Sequence, residues 1–150
     1  MQQHHATVTH DGPERLPGER AQLPRSADEL CDVHGAALFS IAWIMVADRD
    51  DAEFVATQAL LDACSGPVHV AHRSERWELA RYVYVRCVRS QAQTTLTPDE
   101  ESRFHQRAAI ALGLFGDHTY QEIADLMHLP RTEAASLLRC GLHALRQLQT

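Results

Sequence analysis

TYQEIADLMHLPRTEAASLLRCGLHALRQLQ, residues 119–149, is the stretch on which the fold turns. Its spacing predicts two helices joined by a tight turn. Thr119 is a capping residue and Glu122 follows three positions later, so each side chain can satisfy a free backbone N–H at the helix start. Ile123, Ala124 and Met127 give this short helix one apolar face. His128, Leu129 and Pro130 then break it, because Pro130 has no N–H to continue the ladder while its fixed φ suits a new first turn. In the second helix Ala134, Leu137, Leu138, Leu142, Leu145 and Leu148 recur at helical spacing and are expected to face the core. The opposite stripe carries Thr132, Ser136, Arg139, His143 and Arg146. This is the plan of a helix-turn-helix, whose second helix enters the DNA major groove. Any helix hairpin in an all-α domain shows the same periodicity, so a purely structural role stays open.

Working outward, Thr97 and Pro98 open a helix that runs through Phe104, Ala108, Ile110, Ala111 and Leu114 and ends at Gly116. Residues 90–98, polar and containing TTLTP, read as a linker. Three more helices precede it. The first, about residues 27–47, is capped by Ser26, has Asp28 and Glu29 at its positive end, and is apolar nearly all round from Ala36 onward. A helix of that kind is buried between others or covered by a partner. The second, residues 49–63, is capped by Asp48 and carries a core stripe of Ala52, Val55, Ala56, Ala59, Leu60 and Ala63. Beside that stripe Phe54, Gln58 and Leu61 form either a second packing surface or an exposed docking patch. The third, from Ser74 or Glu75 to about Gln91, turns Trp77, Ala80, Tyr84, Cys87 and Val88 inward. Arg76, Arg81, Arg86 and Arg89 line its other sides with Tyr82 between them, a mixture that can hold single-stranded nucleic acid or simply be a solvated basic face. Residues 1–26 have the composition of a flexible tail. The expected fold is all-α, in two small helical units on either side of the linker.

All 14 basic residues are Arg, and the net charge is −6. That balance argues against a generic nucleic-acid binder, which needs clustered positive charge. The average hides a gradient, however. Residues 28–65 hold eight acids against one Arg, whereas residues 66–97 hold five Arg against two acids. The four cysteines are scattered and form no CxxC pair, as expected of reduced thiols in a cytoplasmic protein. Residues 1–26 lack the apolar run of a signal peptide, so none is expected, and the apolar run of residues 36–47 is too short to be expected to span a bilayer. Cys31 with His34 and His69 with His72 each have zinc-chelating spacing, but solvated histidines and a buried thiol are the simpler expectation, and no metal is assigned. There is no Gly-rich phosphate loop, nucleophile motif or carboxylate pair, so neither an enzyme nor a cofactor is expected.

Taken in order, these segments resemble bacterial RNA polymerase sigma factors of the small extracytoplasmic-function type. The resemblance spans about residues 30–148. ALFSIAWIMVADRDDAEFVATQALLDAC is similar to the family's polymerase-docking segment, and RWELARYVYVRCVRSQ to the helix that follows it. TYQEIADLMHLP is the most specific piece of the −35-reading domain. The resemblance implies a sigma region 2-like unit, then a region 4-like unit. It implies promoter DNA, core RNA polymerase and an anti-sigma factor as partners, with no membrane association. Arg131, Thr132, Ser136, Arg139, His143 and Arg146 would face the −35 element. Arg81, Tyr82, Arg86 and Arg89 would handle the −10 side, and Asp51, Glu53, Phe54, Gln58 and Leu61 would lie on the docking helix. The chain departs from the family at Phe54, where an acid is usual, at Ala59 and Leu60, and at Cys64, where a Trp is usual. Basic residues usual near Ala135, Leu137, Cys140 and Leu142 are absent. A sigma-like regulator that binds a protein through Phe54 and Leu61 is the alternative.

Overall fold

A computed structural model describes residues 26–65 and 73–149. Among these residues the chain is all-α, with six helices and no strand. They are α1 (Ala27–Val46), α2 (Arg49–Ser65), α3 (Glu75–Gln91), α4 (Pro98–Phe115), α5 (Tyr120–Met127) and α6 (Arg131–Leu148). All but Ser26 of the tail assigned to residues 1–26, and the histidines His69 and His72, lie outside the described residues.

Local chemistry sets the helix boundaries. Ser26, Ser74, Thr97 and Thr119 each accept a backbone N–H three residues on, from Glu29, Trp77, Glu100 and Glu122. At Thr97 and Thr119 the glutamate reaches back, completing a reciprocal box. Ala47 and His128 take left-handed backbone, each at φ 55°, and close α1 and α5.

α1 is the hub. It packs against α2, α3 and α4 and buries Leu30, Leu38, Ile41, Ala42 and Met45. Among the described residues it is the one helix with the length (20 residues) and mean hydropathy (1.4) of a membrane span. Burial is uneven around it, since Trp43 stays 44% exposed and Val33 is exposed as well. α2 packs on both α1 and α3 and buries Ala52, Val55, Ala56, Ala59 and Leu60. After residues 92–97 the chain returns in α4, which lies on both α1 and α6, while α5 packs on α4 and α6. The buried side chains of the two halves form one continuous cluster.

Sequence expectations for α6 and α3 need correction. Leu142, Leu145 and Leu148 do not face the core but are exposed, Leu148 by 83%. Gly141 lies beside Ile110 and Gly113 beside Leu138, so α6 runs antiparallel along α4. The last turns of α6 therefore run beside the polar start of α4, with Arg103, Gln106 and Arg107, and the leucine stripe outlasts its partner surface. Val88, expected to point inward, is likewise exposed.

Candidate functional site

The pair α5–α6 is held by its caps. Thr119 Oγ accepts the Glu122 N–H at 3.3 Å, and Glu122 Oε2 accepts the Thr119 N–H at 2.8 Å. At the other end the Leu129 N–H returns to the Ala124 carbonyl at 2.9 Å. Pro130 stands one residue outside α6, where its carbonyl accepts the N–H groups of Glu133 and Ala134. Gly141 brings α6 close to α4, for a Cβ there would sit 2.2 Å from Ile110 Cδ1. With Ala134 and Gly141 buried, Arg131, Thr132, Ser136, Arg139, His143 and Arg146 are all exposed. This face offers hydroxyls and guanidinium groups, the donors that contact phosphates and the guanine edge.

The α3 set is not uniform. Arg81 and Arg89 are exposed and Tyr82 is half-buried. Arg86 is engaged by α2: its Nε and Nη2 donate to the two carboxylate oxygens of Asp62 at 2.6 and 2.7 Å. That fork holds the Asp62 carboxyl below the usual carboxylate range. Arg86 thus ties α3 to α2, a role that sequence spacing did not suggest.

On α2 the question left open at Phe54, Gln58 and Leu61 is resolved in favour of an exposed patch. Phe54 is 63% exposed and Leu61 47%, with Gln58 half-buried between them. Asp51 and Glu53 are exposed beside Phe54, and Glu53 pairs with Arg49 at 3.2 Å. An aromatic and an aliphatic side chain one heptad apart at the centre of a solvent face suit a partner helix or groove.

A cleft of about 440 Å³ lies between α1, the start of α2 and the end of α4, lined by Phe39, Ser40, Trp43, Ile44, Arg49 and Phe115. Its polar groups are already used, since Ser40 donates to the Ala36 carbonyl and Arg49 pairs with Glu53. It therefore resembles an open packing seam more than a site with convergent polar groups. The expectation of a solvated histidine and a buried thiol is reversed at Cys31 and His34: Cys31 is exposed, whereas His34 is buried against the start of α3, with Arg76 Nε donating to its Nδ1 at 3.4 Å and Glu75 Oε1 3.3 Å from its Nε2. Among the described residues no group of three His, Cys, Asp or Glu could hold a metal.

Sequence reasoning missed a polar joint between the start of α3 and the α4–α5 turn. The Trp77 and His118 rings stack at 4.9 Å, inclined by 12°, and the Arg73 guanidinium lies 4.8 Å from the Trp77 ring centre. Arg73 also pairs with Glu122, and Ser74 Oγ donates to Asp117 Oδ2 at 3.0 Å. Trp77 and Glu122 carried local signals of their own, an inward helical position and a capping box, but their partners Arg73, Asp117 and His118 come from other parts of the chain, so no local signal marked the joint.

No protein-family model matches this chain, and no curated protein matches it.

Proposed function

We propose that the chain is a sigma-type promoter-recognition protein, cytoplasmic and without catalytic activity, that directs core RNA polymerase to DNA. In this reading α1–α3 act as the region 2-like unit and α4–α6 as the region 4-like unit. The observation that carries it is α6. The whole stripe of Arg131, Thr132, Ser136, Arg139, His143 and Arg146 is exposed on a helix that follows a capped short helix and a three-residue turn. In this reading Arg139 reads a guanine, and Arg146, further along, meets phosphate. On α3, Arg81, Arg89 and Tyr82 supply the −10 contacts, while Arg86 holds their helix to α2. An anti-sigma factor would cover one of these faces. The test is binding of wild type, Arg139→Ala and Arg146→Ala to a promoter library at two salt concentrations, with run-off transcription on core polymerase. Absence of sequence preference at low salt, with both variants indistinguishable from wild type, overturns this reading.

The exposure of Phe54 and Leu61 favours a second reading, a sigma-like regulator that binds a protein partner and has little or no promoter recognition. Phe54→Asp separates the two. It weakens capture of such a partner, but it restores the acid usual at the polymerase-docking position and so strengthens binding of core polymerase.

A further inference from the structure

We propose that the Trp77–His118 joint is an acid-released latch, in which protonation of His118 frees the α4–α5 turn from the start of α3. The proposal does not depend on what α6 contacts.

The turn is folded back tightly before it meets α3. The N–H groups of Gly116 and His118 both bond to the Leu112 carbonyl, at 3.0 and 3.2 Å, and Asp117 takes left-handed backbone at φ 55°. A Cβ on Gly116 would lie 2.9 Å from the Ala80 Cβ of α3 and 2.8 Å from the Leu112 carbonyl oxygen, so only glycine permits this approach. The fold delivers the His118 ring flat onto Trp77 with only 6% of the residue exposed.

His118 Nδ1 lies 2.5 Å from the Gly116 carbonyl, a contact in which the nitrogen donates. In the neutral ring Nε2 then carries the lone pair, and this atom is buried without a hydrogen-bond partner. Protonation would place an N–H and a positive charge there. An unpaired buried charge is unfavourable. The charged groups around it divide unevenly. From α3 comes Arg81 and from the segment just before it Arg73, both opposing a further cation. From the turn comes Asp117, which favours one. Glu122 of α5 is engaged with Arg73. Burial is the largest effect, and it holds the imidazole below its ordinary value of 6.5. A group depressed in this way stabilises the closed joint in its neutral form. That contribution is complete above the unfolded value and is lost as the pH falls below it.

The test uses the full chain carrying Trp43→Phe, so that Trp77 is the remaining indole. NMR follows the His118 ring and the Trp77 indole between pH 7.5 and 5. Hydrogen exchange, corrected for intrinsic rates, follows residues 116–122. The expected result is a His118 midpoint below 6.5, a Trp77 shift with the same midpoint, and a several-fold loss of protection in residues 116–122 while the protection of α1 persists. His118→Phe keeps the stack without a titrating group and should hold its protection across the range. If it does not fold by circular dichroism at pH 7.5, His118→Gln takes its place. The latch is overturned if wild-type protection is unchanged down to pH 5, or if a folded His118 variant loses protection at the same midpoint.

Discussion

Cys87 is fully buried in α3, and burial pushes its thiol up to about 12. Cys31, Cys64 and Cys140 are exposed. Thiolate and access together set reactivity. A thiol reagent at pH 8 should therefore modify three cysteines in the native protein and the fourth only after unfolding, as read by mass spectrometry. Native labelling of Cys87 would mean that α3 faces another way. Asp62 makes a second test. Its carboxyl lies below the usual range because Arg86 bonds to it, so the stabilisation is present near neutral pH and lost as the pH falls below about 4. In Arg86→Ala the Asp62 midpoint should return toward its ordinary value in an NMR titration. Arg139 belongs to this scale as well. If the chain recognises promoters as proposed, Arg139→Ala should cost roughly 1–3 kcal/mol of specific DNA binding and relax preference at one base position. Arg146→Ala should weaken binding evenly across sequences.

At the scale of the element, α6 depends on what it lies against. In an exposed helix a Gly→Ala change is favourable by about 1 kcal/mol. At Gly141 the new methyl would meet Ile110 at 2.2–2.3 Å, and overpacking of this kind costs roughly 1–3 kcal/mol. Gly141→Ala should therefore lower the melting temperature, and a rise would mean that α4 and α6 stand further apart. Helix α5 is only 8 residues long and relies on its caps. Thr119→Ala removes one acceptor of the reciprocal box and should cost on the order of 1 kcal/mol, measured by denaturant titration.

Across the whole molecule, α1 joins the halves. It packs on α4 as well as on α2 and α3, and the joint of Trp77, His118 and Arg73 adds a second contact away from the hub. Because the buried cluster is continuous, denaturant unfolding at pH 7.5 should be one cooperative transition, coincident by far-ultraviolet circular dichroism and by tryptophan fluorescence. Two separated transitions would mean that the units before and after residues 92–97 fold independently.

Helix positions were legible in the residues because they are decided locally. Thr97 with Pro98, Thr119 with Glu122, and the break at His128–Leu129–Pro130 act within a few residues of themselves, through backbone groups that any helix end leaves unpaired. The polar stripe of α6 was legible for the same reason, since a period of 3.6 residues is written into the order of the side chains. Which apolar stripes find a partner is decided elsewhere. Periodicity gave Leu137 and Leu148 the same inward direction, but α4 turns polar along the last turns of α6, so Leu137 is half-buried and Leu148 exposed. Phe54 and Leu61 could have packed or stood free, and only the arrangement of α1 and α3 behind α2 left them in solvent. Arg86 looked like a surface cation until Asp62, 24 residues away, came within 2.6 Å. His118 had no pattern of its own, and Trp77, which stacks on it, lies far back in the chain. Local spacing determines where each helix begins, ends and turns its faces. Burial and pairing depend on neighbours distant in sequence, and only the tertiary structure brings those together.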